Sequence, residues 1–318
     1  MMPFNMNQLS RREFVALTAG GAAAAPLASM RQTTLHVAGL TAQDVIDRIK
    51  KNVGVEWKAD TVDTFKAGDP ATVVTGVVTT SMATLAVLRL GVKAGANLII
   101  TSSPTFYGRA DSPTPPPRRE TAAGAGDSNP AVANLNDRIF AAKRELITTE
   151  RLVIWRFSDH WRARTPDPLV QGLRDALGWS TFSAADDPTR VSIPATTLGA
   201  LASTIKKKLN ARGGIRVVGD PQTPIRKVAL LPATTAIDLA LKALPAVDVI
   251  IAGEVREWES VEYARDTVTA GGKKGLILIG RVLSEDPAMN ACARWLNVIV
   301  PEVTTRWMPV GDPYWRPT

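Results

Sequence analysis

The feature that most constrains the fold is the alternation of short apolar runs with longer amphipathic segments. Runs such as LIIT at 98–101 and GLILIG at 275–280 carry almost no polar residue, which is typical of strands covered on both faces. The segments between such runs, for example AQDVIDRIKKNV at 42–53, space their apolar residues along one face of a helix. Strands that alternate with helices pair largely in parallel through right-handed crossovers.

We therefore predict an α/β protein, a two-lobed, interlocked α/β domain with mixed, largely parallel sheets. The predicted strands are 72–80, 97–101, 151–157, 214–220, 226–232, 246–254 and 274–280. The predicted helices are 42–53, 82–95, 135–146, 169–179, 197–210, 234–244, 256–272 and 286–296. A last extended piece is expected at 303–313.

Residues 1–30 match a twin-arginine signal peptide. SRREF at 10–14 precedes a weakly apolar stretch rich in Ala and Gly, and APLAS at 25–29 offers small residues suited to cleavage. The alternative is an amphipathic first helix with a chance pair of arginines. We expect a bacterial protein that the twin-arginine translocase exports to the periplasm or another extracytoplasmic site. The folded domain then spans 31–318.

Within this domain, the segment 108–133 breaks the alternation. It is rich in Pro, Gly, Ser and charged residues and has no apolar periodicity, which predicts a flexible surface loop.

The charge balance does not indicate nucleic-acid binding. Lys and Arg outnumber Asp and Glu by 38 to 30, a formal net charge of +8. The basic residues form short, scattered runs without interleaved aromatics, so we expect no nucleic-acid partner. A single cysteine, Cys292, excludes an intramolecular disulfide.

Polar side chains follow several of the predicted strands. Ligands of open α/β sheets bind beyond the carboxyl ends of the strands, so these residues are the candidates for a site. They are Ser102 and Ser103, Ser158 with Asp159 and His160, Glu254 and Glu257, and Arg281 with Ser284 and Glu285.

The order of five segments resembles the Nif-three-like dinuclear-metal-centre family. The segments are TFKAGDPATVVTGVVTT, GANLIITSSPTFY, VIWRFSDHW, VIIAGEVREWE and LILIGRVLSEDP, and the likeness spans 61–313. Members of that family carry the label GTP cyclohydrolase I type 2 homologue. The resemblance implies a two-lobed α/β fold, a homo-oligomer that often forms a hexameric ring, and two divalent metal ions in a cleft between the lobes.

The resemblance also identifies the positions of the metal ligands. Ser102 and Ser103 stand at the family's His-His or His-Glu pair before the matching Pro104. Arg281 stands at the late His, and Glu285 matches the late Glu. Asp159 and His160 match the middle motif, in which exported relatives have further histidines at the positions of Ser158 and Arg162.

This residue set predicts a degenerate metal site. A serine hydroxyl is a poor ligand for a transition metal, and a guanidinium has no lone pair to donate. Asp159, His160 and Glu285 would remain as a residual site. We expect no cofactor, or at most one weakly bound Zn, Fe or Mn ion, and the cyclohydrolase label has no support from these ligands.

The predicted function is an exported Nif-three-like protein that is non-catalytic or binds metal weakly and forms an oligomer. The alternative is a metal-dependent hydrolase that uses a metal-activated water in the cleft between the lobes. The sequence identifies neither a catalytic residue nor a substrate.

Each candidate residue also has a structural explanation. Ser102 and Ser103 suit a polar turn, Asp159 could cap the segment after it, and His160 could be a hydrogen-bonded structural residue. Arg281 and Glu285 are four residues apart and could form an ion pair in place of the metal. A serine nucleophile is disfavoured because no nucleophile elbow surrounds Ser102 or Ser103.

Overall fold

The computed structural model describes residues 39–108, 111, 138–182, 187–315 and 317. The predicted signal peptide at 1–30 and nearly all of the predicted loop at 108–133 lie outside the described residues. None of the helices described is long and apolar enough to cross a bilayer.

The described elements alternate as the sequence predicts. The helices are α1 Ala42–Asn52, α2 Leu85–Lys93, α3 Arg138–Thr149, α4 Asp159–Arg162, α5 Pro168–Leu177, α6 Leu198–Lys208, α7 Ile237–Ala243, α8 Glu262–Thr269 and α9 Arg281–Ile299. The strands are β1 Phe65–Ala67, β2 Val77–Thr80, β3 Leu98–Thr101, β4 Val153–Arg156, β5 Arg190–Thr197, β6 Arg216–Val218, β7 Pro224–Thr235, β8 Val249–Val255, β9 Gly275–Leu278 and β10 Thr305–Trp307.

The strands form two five-stranded sheets, one in each lobe. The first sheet has the order β1-β4-β3-β2-β10 and the second has β5-β7-β8-β9-β6. The central pairs β2–β3 and β3–β4 are parallel, as are β7–β8 and β8–β9. The edge strands β1, β5 and β6 pair antiparallel. The prediction of an α/β fold with mixed, largely parallel sheets is confirmed.

The helices cover the sheets with the apolar faces that the sequence spacing predicts. In α1, Val45, Ile46 and Ile49 are fully buried on one face. Thr41 and Asp44 form a capping box at the start of this helix, with reciprocal hydrogen bonds between side chain and backbone. The apolar core of the first lobe packs between its sheet and the helices α1 and α9.

Helix α9 joins the two lobes. It packs against β2 and β10 of the first sheet and against β7 and β8 of the second. Buried along it are Ala288, Met289, Cys292 and Leu296. The carboxyl ends of β2 and β3 therefore face the start of this helix, which follows β9 of the other lobe.

Three of the sequence predictions need correction. Helix α9 begins at Arg281 and not at Asp286, and it contains Pro287; a proline inside an apolar pattern favoured a later start. Strand β7 runs through Thr235, so α7 starts three residues later than predicted. Strands β1 and β5 were not predicted, because Phe65–Ala67 is only three residues long and Arg190–Thr197 contains Pro194.

Candidate functional site

The carboxyl ends of β2 and β3 and the first turn of α9 enclose a cavity of about 220 Å³. Its polar lining includes Ser81, Ser103, Arg281 and Glu285. We call Ser103, Arg281 and Glu285 the guanidinium site. The resemblance assigns these three residues to ligand positions, and the fold brings them together from both lobes.

Arg281 and Glu285 form the ion pair that their spacing predicts. The Arg281 Nε donates to Glu285 Oε1 at 2.9 Å. The Ser103 hydroxyl donates to Glu285 Oε2 at 3.2 Å, and Arg281 Nη2 lies 3.4 Å from the Ser103 Oγ. The Glu285 side chain is only 6% exposed, whereas that of Arg281 is 42% exposed. The carboxylate is thus held beneath the guanidinium.

The backbone around Arg281 is positioned by small and polar residues. Gly280, at φ +86°, precedes the helix. The Ser284 hydroxyl donates to the Arg281 carbonyl at 2.6 Å and accepts from the Ala233 N–H at 2.9 Å. A Cβ at Gly253 would lie 2.3 Å from the Ala233 carbonyl oxygen, so a glycine is needed for β7, β8 and α9 to approach this closely.

Ser81 and Asp286 form a second buried pair beside the cavity. The Ser81 hydroxyl hydrogen-bonds Asp286 Oδ1. Asp286 Oδ2 accepts from the N–H groups of Val310 and Gly311. Burial raises the pKa of Asp286, although these hydrogen bonds act in the opposite direction. This network ties the carboxyl end of β2 to α9 and to the C-terminal segment.

Ser102 makes structural contacts. Its hydroxyl donates to the Ser81 carbonyl at 3.2 Å, and its own carbonyl accepts from Arg156 Nε at 3.4 Å. Both serines follow the end of β3, as the sequence predicts, but Ser103 lines the cavity and Ser102 does not.

His160 lies in a different cluster, beyond the end of β4. Its Nδ1 is 2.7 Å from Asp63 Oδ2, and its Nε2 accepts from the Lys58 N–H at 2.8 Å. Because Nε2 accepts, Nδ1 carries the proton and donates to Asp63. The ring also stacks on Trp57, with centroids 3.7 Å apart. We call Asp63, Asp159 and His160 the imidazole site.

Asp63 organises this site. Its Oδ1 accepts from the N–H groups of Ser158 and Asp159, and its Oδ2 accepts from the N–H of His160 in addition to the ring. A fully buried carboxylate with four donors holds the first turn of α4 in place. Both ring nitrogens of His160 are thus hydrogen-bonded within the protein, as a structural role for this residue would require.

Asp159 does not cap the helix that it begins. Its Oδ2 accepts from the Thr61 hydroxyl at 2.9 Å and from the Val62 N–H at 3.0 Å. Burial raises the pKa of Asp159, but the hydrogen bonds from Val62 and Thr61 and the positive charge of Arg156 outweigh it. The pKa of this carboxyl therefore lies below its ordinary value.

The fold does not bring the three residual ligand candidates together. Asp159 and His160 line a cavity of about 250 Å³ with Glu56, Lys58 and Asp60. Glu285 lines the cavity of the guanidinium site. The other candidates also lie elsewhere: Arg162 and Glu254 are exposed, and Glu257 pairs with Arg216 at the edge of the second sheet.

The donor atoms at these positions do not fit a pair of divalent metal ions. Both ring nitrogens of His160 are engaged, and Arg281 offers no lone pair. Both carboxylate oxygens of Glu285 accept hydrogen bonds. Across the residues with described placement, no group of three or more His, Cys, Asp or Glu could hold a metal ion.

Several buried polar residues near the two sites were not identified from the sequence, among them Lys143, Ser81 and Asp63. Lys143, in α3, is fully buried, and its Nζ donates to the Thr105 carbonyl and lies 4.3 Å from the centre of the Tyr107 ring. Burial lowers the pKa of Lys143 to about 8, and the negative charge of Asp111 opposes this shift. Ser81 could have been found, since it directly follows β2, whereas Asp63 has partners 95 to 97 residues away.

Comparison with known proteins gives relatives in structure alone. No family model and no curated protein matches the chain. The Staphylococcus aureus hypothetical protein SA1388 is 16% identical, with a TM-score of 0.63 over 88% of this chain and 100% of that one. A Bacillus cereus protein related to NIF3 is 12% identical, with a TM-score of 0.62 over 87% and 99%. Reduced HcgD from Methanocaldococcus jannaschii is 12% identical, with a TM-score of 0.53 over 84% and 97%.

These likenesses extend over nearly the whole of each related chain, but identities of 12–16% show the fold alone. These structural likenesses agree with the family resemblance that the order of sequence segments indicated. The chain therefore has the two-lobed α/β fold of the NIF3-like proteins.

Proposed function

We propose that this protein is an exported, oligomeric, non-catalytic binding protein that works without paired metal ions. The observation that carries this proposal is the guanidinium site, in which Arg281 and Glu285 form an ion pair at the position of a late metal ligand pair. The guanidinium supplies a fixed positive charge there, at a place where a metal ion would otherwise supply it.

Two further observations support metal independence. Ser103 completes the ion pair by donating to Glu285, so the carboxylate is already satisfied within the protein. His160 and Asp159 spend their hydrogen bonds on Asp63, Lys58, Thr61 and Val62. The hydrolase alternative would need these side chains to leave their partners and meet around one ion.

Elemental analysis tests this proposal. The purified protein is incubated with Zn²⁺, Fe²⁺ or Mn²⁺, desalted, and measured for bound metal per chain. We expect well under one equivalent of each metal, because the described residues include no cluster of three or more suitable donors. Two tightly held ions per chain would contradict the proposal.

A variant provides the positive control. Ser103→Glu and Arg281→His together place two metal-binding side chains beside Glu285 in the same cavity, and this double variant should gain bound metal. The matched control is Arg265→His, which places a histidine beside Glu262 on the surface of α8. It should bind no more metal than the unmodified protein.

A further inference from the structure

We infer that the guanidinium site binds a small oxyanion, a carboxylate or phosphate ligand, on the outward edge of Arg281. This inference rests on the proposed function, because it needs the site to be free of metal. A guanidinium has two edges that can each donate two parallel hydrogen bonds. Glu285 and Ser103 engage only one of these edges, through Nε and Nη2.

The other edge, formed by Nη1 and Nη2, retains its donors. Within the part of the chain that the structure describes, Nη1 has no hydrogen-bond partner. The Arg281 side chain is 42% exposed and lines the cavity of about 220 Å³. A carboxylate or phosphate in this cavity could accept two parallel hydrogen bonds from that edge.

The buried ion pair orients the guanidinium. Glu285 is held beneath Arg281 with both oxygens occupied, so the carboxylate fixes the plane of the guanidinium and does not compete at the outward edge. A side chain that is already ordered loses less conformational entropy when a ligand binds. Glu285 is thus a positioning residue for Arg281.

Other charges near the cavity also favour an anion. Lys143 lies behind the wall of the cavity, with its Nζ 4.3 Å from the centre of the Tyr107 ring. Arg156 lies close enough to Arg281 for their positive charges to interact. These two cations lie outside the Arg281–Glu285 pair and favour an anion nearby. Asp111 acts on both of them with the opposite sign, so Arg281 itself carries the inference.

The remaining walls suit a ligand with an apolar body. Met82, Pro104, Tyr107 and Val282 line the cavity around Arg281. An apolar or aromatic group attached to the oxyanion would contact these side chains, whereas inorganic phosphate would use the guanidinium alone. We therefore expect an aromatic carboxylate to bind more tightly than inorganic phosphate.

Ligand-observed NMR tests the inference on the full-length protein, even if it forms a large oligomer. The probes are 4-fluorobenzoate, followed by its ¹⁹F line width, and inorganic phosphate, followed by its ³¹P line width, both in the presence of EDTA. Saturable broadening of the fluorobenzoate signal alone assigns the site to carboxylates, and broadening of the phosphate signal alone assigns it to phosphates. Broadening of both signals supports a site that accepts either oxyanion. If neither signal broadens, the inference is wrong.

The variant Arg281→Gln/Glu285→Gln removes the guanidinium without leaving a buried carboxylate unpaired. It should weaken binding by at least about tenfold, because the two parallel charge-assisted hydrogen bonds are lost. The matched control is Arg265→Gln, which removes an arginine that also pairs with a glutamate but lines neither of the two cavities. Equal affinity in the double variant and the unmodified protein would contradict the role of Arg281.

The two proposals can fail separately. Suppose that elemental analysis finds metal and that the line broadening persists in EDTA and depends on Arg281. This result would reject metal independence and retain the oxyanion site. Metal-free protein that broadens neither signal would reject the oxyanion site and retain metal independence.

Discussion

The imidazole site and the guanidinium site are both built around an acid–base pair. They differ in how many donor and acceptor atoms of that pair remain without a hydrogen-bond partner. In the imidazole site, the His160 and Asp63 side chains are 3% and 0% exposed, and both ring nitrogens of His160 and both carboxylate oxygens of Asp63 have a partner. In the guanidinium site, both oxygens of Glu285 also have partners, but no described residue hydrogen-bonds the outward edge of Arg281, which faces the cavity.

This difference separates a structural cluster from a candidate binding site. A histidine and two aspartates near the end of a strand resemble a ligand set in the sequence. However, both ring nitrogens of His160, both oxygens of Asp63 and the Oδ2 of Asp159 are engaged in hydrogen bonds that join the 57–63 segment to α4. A ligand can bind only to hydrogen-bonding capacity that the fold leaves over. By that measure Arg281 is a better candidate for binding a ligand than His160, although a guanidinium cannot bind a metal ion.

The largest expected effect is at Asp63. Replacing it in Asp63→Ala leaves three backbone N–H groups and the His160 ring without their acceptor in a buried position. We expect the free energy of unfolding to fall by roughly 4 kcal/mol, measured by urea denaturation.

The control for this change is Asp60→Ala, three residues earlier and exposed, which should change stability by less than about 0.5 kcal/mol. A similarly small effect of Asp63→Ala would remove the distinction between the two sites, because the imidazole site would then have no structural role.

The next effect concerns Lys143, the buried cation behind the guanidinium site. Burial lowers its pKa from 10.5 to about 8. Between these values the unfolded chain binds more protons than the folded protein, so stability should rise as the pH increases from about 8 to about 10. Deprotonation of Lys143 should raise the free energy of unfolding by roughly 2 to 3 kcal/mol over this pH range.

Lys143→Met should remove this rise, and the difference between the two stability curves isolates Lys143 from other lysines. Urea denaturation at several pH values measures both curves. Among the described residues, Lys143 hydrogen-bonds the Thr105 carbonyl and no carboxylate, unlike the acid–base pairs of the two sites. Parallel curves for the two proteins would show that its ammonium is not desolvated.

The smallest effect is expected at the rim of the imidazole site. Thr61→Val removes one of the two hydrogen bonds that hold down the pKa of Asp159. That pKa should rise toward its ordinary value, as followed by ¹³C NMR of the carboxyl group. A depressed carboxyl pKa stabilises the protein above the ordinary pKa, and this contribution is lost as the pH falls through the lower value.

At neutral pH, Thr61→Val should therefore cost about 0.5 kcal/mol, and less in acid. The control is Thr204→Val, in which the lost hydroxyl bonds a helix carbonyl and no carboxylate. An unchanged Asp159 pKa in Thr61→Val would mean that Val62 alone holds the carboxylate.

The pattern of apolar and polar residues was sufficient to predict most of the local structure. Apolar runs and helical spacing predicted most of the strands and helices, because each element's burial pattern repeats with its own backbone geometry. The i, i+4 pair of Arg281 and Glu285 was also predictable, since residues four apart lie on the same face of a helix. The resemblance added the two-lobed architecture.

Long-range partners depended on the folded chain. Ser103 meets Glu285 across 182 residues, and Asp63 reaches His160 across 97. Periodicity carries no information about such pairs, because strand order and crossovers set which loops come together. The fold thereby engages both ring nitrogens of His160, the residue that most resembled a metal ligand in the sequence. Arg281 instead faces the cavity, and no described residue hydrogen-bonds its outward edge.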